Sequence, residues 1–238
     1  MIEVKNIEKK FGKLEVLRGV SFKVNTGKIT AIVGPNGSGK TTIIKTILGL
    51  VRPDSGEIIF SEKNIVGQHL YRKEIGYMPQ TASFPDNLSV RELIKMISNL
   101  RNESELKSSP HIDVFNLAPE LNKSLRNLSG GNKQKVSALI ALMFNPSVLI
   151  LDEPTAGLDP VASSNLKELL QIEKEKGKTI ILTSHIMAEV QELADDIMFL
   201  LDGRIQFNGS LRSLLTNKGE TKLEKAIAAM MKDVSVWN

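Results

Sequence analysis

The sequence predicts an α/β fold that combines a mostly parallel sheet, an N-terminal antiparallel β part and an inserted helical subdomain. The apolar runs Val148–Leu151 and Thr179–Leu182 show no polar alternation, which is typical of strands buried on both faces of a parallel sheet. Val20–Val24 alternates between apolar and polar residues, as half-buried strands do. With 238 residues, of which 41% are hydrophobic, the chain has enough apolar sequence for one large core.

Composition excludes several classes of protein. The 31 basic and 27 acidic residues give a net charge of only +4, and the basic residues form no run, so no nucleic-acid partner is expected. The chain has 0 cysteines, which excludes disulfides and thiolate metal sites. No apolar stretch approaches the length of a bilayer span, and the first residues lack the apolar core of a signal peptide. We therefore expect a cytoplasmic protein that reaches a membrane only through a partner.

The first elements are expected to be strands joined by polar turns. Ile2–Lys5 and Val20–Val24 are predicted strands, and the turn residues Asn25–Gly27 lead into a third strand at Lys28–Val33. Phe11 is predicted to lie in a polar loop between the first strands. Its ring could offer a stacking surface to a flat base, or it could pack on the sheet, and the sequence leaves both interpretations open.

A phosphate-binding loop is predicted directly after this third strand. Residues 34–41 read G-x-x-x-x-G-K-T, and a segment with the spacing of a helix that buries one face follows them. The glycines let backbone N–H groups converge on phosphate oxygens, and the positive end of the new helix adds to the attraction. Lys40 is expected to reach the β- and γ-phosphates of ATP, and the Thr41 hydroxyl to bind Mg²⁺. The predicted nucleotide-binding residues of this segment are Gly34, Pro35, Asn36, Gly37, Ser38, Gly39, Lys40, Thr41 and Thr42.

The alternative for this segment is an ordinary glycine-rich turn that happens to carry a lysine. The strand, loop and helix context favours the phosphate loop, and with it a phosphate-loop NTPase core.

A helical subdomain is predicted to be inserted into the α/β core at about residues 81–144. Ser89 is the predicted N-cap of a helix, and Glu92 completes a capping box. The polar run Asn99–Pro110 is expected to be a solvated loop or a helix end. The other predicted elements are strands at Glu57–Phe60, Ile75–Met78, Ile197–Leu201 and Arg204–Phe207, a helix at Val161–Lys176, a hairpin turn at Asp202–Gly203 and an amphipathic tail helix that contains Leu223 and Ile227.

Two adjacent carboxylates end the apolar run Val148–Leu151. Asp152 can help to hold Mg²⁺, and Glu153 can accept a hydrogen bond from the attacking water and act as the general base of ATP hydrolysis. An Asp-Glu pair can also be a solvated strand end, but the buried strand before it and the phosphate loop upstream favour the catalytic interpretation.

The segment Leu128–Asn132 reads L-S-G-G-N, and here the chain resembles the ATP-binding subunits of ATP-binding-cassette (ABC) transporters. The resemblance extends from Ile2 to about Gly209 and implies a head-to-tail homodimer. Each ATP would then lie between Lys40 of one copy and Ser129, Gly130 and Gly131 of the other. Taken alone, Ser-Gly-Gly is most often a helix cap with a turn. Asn132 departs from the family pattern, in which glutamine is commoner, and this leaves its contact with the ribose in doubt.

Three further residues match family motifs. Gln80 corresponds to a glutamine that contacts Mg²⁺ or the attacking water where the helical subdomain begins, although it could be an exposed loop residue. Asp159 lies in a segment that resembles a contact between the two ATP sites, although it could simply cap the following helix. His185 ends a strand at the position of a histidine that binds the γ-phosphate, although a lone histidine is usually structural.

The resemblance implies an ATP-hydrolysing subunit that energises a membrane transporter, with integral membrane permease subunits as partners. It places the chain on the inner face of the cell membrane and assigns residues 1–215 to the ATPase domain and 216–238 to a short C-terminal helical extension. The segment Ala156–Pro160 and the short extension resemble exporter-type members, whose cargoes include lipids, drugs, polysaccharides and ions, and some of which assist metalloenzyme maturation. A groove near Thr81–Leu93 is expected to receive a helix of the permease.

Two other functions compete with this one. Soluble ABC-type ATPases of DNA repair or translation generally carry a long coiled coil or two cassettes, and neither is present in these residues. An unrelated phosphate-loop kinase would have no use for the segment Leu128–Gly131.

Overall fold

The computed structural model describes residues 2–103 and 110–235 of the chain. The strands are β1 (Ile2–Phe11), β2 (Leu14–Val24), β3 (Ile29–Val33), β4 (Ser55–Phe60), β5 (Lys63–Asn64), β6 (Ile75–Met78), β7 (Val148–Asp152), β8 (Thr179–Thr183), β9 (Asp196–Leu201) and β10 (Arg204–Ser210). The α-helices are α1 (Lys40–Ile47), α2 (Val90–Arg101), α3 (Pro110–Val114), α4 (Gly130–Leu142), α5 (Pro160–Glu175), α6 (Met187–Leu193), α7 (Leu211–Lys218) and α8 (Leu223–Ser235).

The strands form two sheets. An antiparallel sheet has the order β2-β1-β4-β5, and a larger sheet has the order β10-β9-β3-β8-β7-β6. In the larger sheet β3 pairs in parallel with β8 and β9, and β7 pairs in parallel with β6 and β8, while β10 alone of its six strands runs antiparallel on β9. The predicted fold class is therefore confirmed.

The central strands of the larger sheet are buried along their whole length, because both faces of the sheet are covered. Successive residues point to opposite faces. Ala31 and Val33 of β3 join the apolar cluster that contains α4 and α5 residues, whereas Ile32 joins the cluster beneath the antiparallel sheet. This is the arrangement that unalternating apolar runs predict.

Helix α4 packs closely on the larger sheet at Gly76 of β6. A β-carbon at Gly76 would lie 1.9 Å from the carbonyl oxygen of Ala141 in α4 and 2.8 Å from Pro146. Helix α4 therefore rests on the backbone of the edge strand. The predicted capping box at the start of α2 is confirmed, since Glu92 N–H donates to Ser89 Oγ and Ser89 N–H donates to the Glu92 carboxylate.

The C-terminal residues are part of the same core. Buried Leu223 and Ile227 of the predicted tail helix, α8, pack with the cluster on one face of the larger sheet. Helix α7 was not predicted, and the proposed domain boundary after residue 215 falls inside it. The Gln191 side chain of α6 fixes the start of α8 by donating to the Thr221 carbonyl and accepting from Leu223 N–H.

The first two strands are longer than predicted, and this corrects the position of Phe11. It is the last residue of β1 rather than a residue of a polar loop. The charged residues between Lys5 and Phe11 have poor strand propensity. They stay in the sheet because β1 pairs with both β2 and β4. The pairing with β2 contains three register shifts. The middle of the polar run Asn99–Pro110 lies outside the described residues.

None of the helices in residues 2–103 and 110–235 is both long and apolar enough to cross a bilayer.

Close packing at Gly76 predicts that Gly76→Ala lowers the free energy of unfolding by about 1–3 kcal/mol, because α4 must move away from β6. Gly130→Ala is the matched control, since a β-carbon at Gly130 would meet no atom within 4 Å. Urea denaturation followed by circular dichroism measures both. Equal stability of the two variants would contradict the close approach of α4 to β6.

Candidate nucleotide-binding site

The loop between β3 and α1 requires glycine at two positions, Gly34 because of close packing and Gly37 because of its backbone conformation. Gly34 has φ 155°, and a β-carbon there would lie 2.1 Å from the carbonyl oxygen of Leu200, so the loop lies directly on β9. Gly37 faces open space but has φ 81°, a backbone conformation that other residues rarely adopt. The loop is thus held against the sheet at one end and curled at its tip.

Lys40 turns its ammonium back into this loop. Its Nζ donates to the carbonyl oxygens of Gly34 at 2.8 Å and Pro35 at 3.0 Å. Burial lowers the pKa of Lys40, while the charges of Glu153 and Asp152 act in the opposite direction. The Ser38 Oγ in the same loop is buried and has no hydrogen-bond partner among the described residues. The loop therefore holds a cation whose two carbonyl partners a phosphate could replace.

The end of β7 places both predicted carboxylates beside the loop. Thr41 Oγ1 donates to Asp152 Oδ2 at 3.3 Å, and the buried Thr183 at the end of β8 donates to Asp152 Oδ1 at 2.5 Å. Glu153 follows with φ 52°, an unusual value for a residue that is not glycine. His185 Nδ1 lies 3.3 Å from Glu153 Oε2. The structure thus brings Thr41, Asp152, Glu153 and His185 to one edge of the sheet.

The sequence analysis did not identify two residues near Asp152, Thr183 and Tyr77. Thr183 ends β8 two residues before His185, so the predicted parallel pairing of the two buried strands could have indicated it. Tyr77 of β6 is half-buried, and burial together with the Asp152 charge raises the pKa of Tyr77 to about 12. The Tyr77 hydroxyl therefore stays protonated beside the carboxylate.

The predicted motif residues beyond the phosphate loop lie on loops and at helix ends. Gln80 is exposed just after β6, and its carbonyl oxygen accepts from Gln134 Nε2 of α4 at 3.3 Å. Ser129 caps α4 by accepting from Asn132 N–H at 3.2 Å, and the adjacent Gly130 is exposed.

Asp159 has structural partners of its own. It caps α5 through Ala162 N–H and pairs with Lys135 of α4 at 2.8 Å. The hydrogen bond from Lys135 holds the pKa of the Asp159 carboxyl below its ordinary value.

The Phe11 ring is 51% exposed, with Lys9 Nζ 5.4 Å from its centroid. The ring is accessible, and it does not pack into the core.

The oxygen atoms at this edge fit a magnesium ion. The Thr41 hydroxyl and the Asp152 carboxylate are adjacent hard donors, the kind that Mg²⁺ prefers. No group of three or more His, Cys, Asp or Glu side chains in the described part of the chain could hold a metal by itself. A magnesium ion here would take its remaining ligands from phosphate and water, as it usually does in triphosphate sites.

A glycine-rich loop between a buried strand and a helix, with its lysine and a neighbouring pair of strand-end carboxylates, defines a phosphate-loop NTPase. The sequence also matches the family described as ABC transporter over residues 17–156. The chain belongs to the ABC transporter family.

Two curated relatives cover most of the chain. The lantibiotic transport ATP-binding protein SrtF of Streptococcus pyogenes is 35% identical over 224 residues, which are 92% of this chain and 97% of the relative. The Nod factor export ATP-binding protein I of Burkholderia orbicola is 33% identical over 222 residues, which are 91% of this chain and 73% of the relative.

Solved structures agree with the fold. An ATP-binding subunit of an ABC transporter superposes with a TM-score of 0.91 at 30% identity, covering 97% of this chain and 99% of the other. A dimeric ATP-binding cassette in a post-hydrolysis state, bound to ADP and Pi, superposes with a TM-score of 0.79. It is 24% identical, covers 89% of this chain and 99% of the other, and supports the fold alone.

These findings confirm the family and the ATP-binding and ATP-hydrolysing function predicted from the sequence.

The position of the Lys40 ammonium in the phosphate loop predicts that Lys40→Ala weakens ATP binding by about 10-fold to 100-fold, because hydrogen bonds to a charged phosphate are lost. Lys45→Ala is the control, since Lys45 is an exposed lysine one turn later in α1. Isothermal titration calorimetry with Mg-ATP measures both affinities. Unchanged affinity in Lys40→Ala would count against the phosphate loop.

Proposed function

We propose that the chain is the subunit of a membrane exporter that binds and hydrolyses ATP, and that the cycle of ATP binding and hydrolysis closes and reopens a dimer of this chain. The observation that carries the proposal is the meeting of Glu153, His185, Asp152 and Thr41 at the mouth of the phosphate loop. Family membership and the name of the lantibiotic transport protein support the link to a transporter, and the name of the Nod factor export protein supports export.

In the proposed reaction a water oxygen attacks the γ-phosphorus while the bond to the β–γ bridging oxygen breaks, and ADP leaves with the bonding electrons. Glu153 orients the water and accepts its proton. His185 Nδ1 lies 3.3 Å from this carboxylate, and in the proposal the single N–H of His185 donates to the γ-phosphate. Lys40 releases its two loop carbonyls and binds the β- and γ-phosphates. When bound, Mg²⁺ would be held by Thr41, Asp152 and Gln80 and would neutralise part of the phosphate charge.

The partner copy completes the site in this proposal. Ser129, Gly130 and Gly131 form the N-terminus of α4, where backbone N–H groups and the helix dipole attract anions. In a head-to-tail homodimer they would bind the γ-phosphate held by the partner's phosphate loop, with Asp159 near the contact between the two sites. Phe11 would stack on the adenine, because its ring is half exposed.

Permease subunits are the proposed source of membrane attachment at the inner face. The segment after Gln80 supports a docking groove near Thr81–Leu93, because it is largely exposed and is anchored to the core by partly buried Phe84 and Leu88. The proposal keeps the division into an ATPase domain at residues 1–215, with a helical subdomain inserted at about 81–144, and a short C-terminal extension at 216–238. The cargo would be recognised by the permease.

The general-base role predicts that Glu153→Gln retains ATP binding, loses at least about 100-fold in turnover and accumulates as an ATP-bound dimer. Phosphate release and size-exclusion chromatography measure these effects. Glu192→Gln is the control, since Glu192 lies at the surface in an ion pair with Lys167. Hydrolysis by Glu153→Gln at the wild-type rate would exclude the general-base role.

The shared site predicts complementation between two inactive variants. Lys40→Ala and Ser129→Arg are each expected to lose ATPase activity, but a mixed dimer contains one site with both an intact Lys40 and an intact Ser129. Mixing the purified variants should therefore restore activity that neither shows alone. A mixture that stays as inactive as its parents, with heterodimers demonstrated by a tag on one variant, would contradict the two-copy site.

A further inference from the structure

Thr183 occupies a special position at the carboxyl edge of the larger sheet. It is the last residue of β8, its Cα is paired in register with that of Asp152 in β7, and its side chain is fully buried. A buried hydroxyl must find hydrogen-bond partners or destabilise the fold. Thr183 Oγ1 contacts one group of Asp152 and one group of Glu153, to which the proposed function assigns Mg²⁺ binding and general-base catalysis.

One of these groups is the Asp152 carboxylate. Thr183 Oγ1 donates its single proton to Asp152 Oδ1, while Asp152 Oδ2 accepts from Thr41 in the phosphate loop. The two carboxylate oxygens therefore have different roles. One is held by the sheet, and this fixes the side-chain rotamer that turns the other toward the loop.

The other group is the backbone N–H of Glu153. It donates both to Thr183 Oγ1 at 3.0 Å and to the Thr183 carbonyl oxygen at 3.1 Å. Glu153 needs such support because its φ of 52° is a costly conformation for a residue with a β-carbon. This conformation directs its carboxylate toward His185.

We propose that Thr183 is a positioning residue for ATP hydrolysis, whose hydroxyl orients the Asp152 carboxylate and the Glu153 backbone together. The inference rests on the proposed roles of these two residues. It assigns the hydroxyl, rather than the methyl group or the volume of the side chain, as the feature that matters.

Other buried threonines show that burial alone does not produce this arrangement. Thr30 of β3 is buried, yet its Oγ1 has no partner among the described residues. Thr179, at the opposite end of β8, accepts a 3.3 Å hydrogen bond from Gly27 N–H and contacts neither Asp152 nor Glu153 in any hydrogen bond of the described residues. Thr179 therefore offers a matched control in the same strand.

The test compares Thr183→Val, Thr183→Ser and Thr179→Val with the wild type. Thr183→Val should lower kcat by about 10-fold to 100-fold, because a hydrogen bond to a charged group is lost at the reacting site. At saturating Mg²⁺ the KM for ATP should change by less than about 3-fold, since Lys40 and the loop backbone are unchanged. Thr183→Ser should restore kcat, and Thr179→Val should leave it unchanged. If Thr183→Val fails to fold by circular dichroism, Thr183→Ala takes its place.

A second readout is independent of turnover. The affinity for Mn²⁺ in the presence of ADP, measured by electron paramagnetic resonance, should fall about 10-fold in Thr183→Val and recover in Thr183→Ser, because Asp152 loses its orientation. Unchanged Mn²⁺ affinity and kcat in Thr183→Val would overturn the inference, as would equal losses in Thr183→Val and Thr179→Val. If Thr183→Val weakens Mn²⁺ binding while Glu153→Gln remains active, the positioning role of Thr183 is supported and the general-base role of Glu153 is rejected.

Discussion

The whole site depends on the parallel register of β3, β8 and β7. Because parallel strands end at the same edge of a sheet, this register brings the phosphate loop after β3, the carboxylates after β7 and His185 after β8 together from widely separated parts of the chain. Thr183 is paired with both Ile32 and Asp152, so one residue lies between the strand that leads to the loop and the strand that carries the Asp152 carboxylate. Burial of these strands on both faces keeps the register fixed, since a slip by one residue would exchange the side chains facing the two apolar clusters.

In the proposed assembly, charge explains why one copy of this edge would be an incomplete site. Lys40 supplies one positive charge, whereas Asp152 and Glu153 supply two negative charges close to it. A triphosphate would add several more negative charges. Binding therefore needs positive potential from elsewhere, and a divalent cation at Thr41 and the N-terminus of a partner's α4 are two sources that the proposed assembly supplies. In the proposed assembly, this charge balance would link nucleotide binding to the association of two copies.

The sequence predicted those parts of the molecule whose pattern is local and strong. The unalternating runs at β7 and β8, the phosphate loop and the capping box at Ser89 are such patterns, and the family follows from the motifs. The full length of β1 was missed because tertiary pairing, rather than propensity, holds its charged residues in the sheet. Thr183 and Tyr77 were missed because their importance comes from strands that meet Asp152 in space, and helix α7 because its short sequence has a weak apolar pattern.

The most direct test of the shared site is a disulfide between two copies. The natural chain has 0 cysteines, so single cysteines can be introduced without background. A tagged Asn36→Cys chain is mixed with an untagged Gly130→Cys chain, both carrying Glu153→Gln, and oxidised with and without ATP. The account predicts a heterodimeric disulfide that forms with ATP and not without nucleotide, and little linkage within either chain type alone. Absence of this disulfide at saturating ATP, or its formation to the same extent without nucleotide, would contradict it.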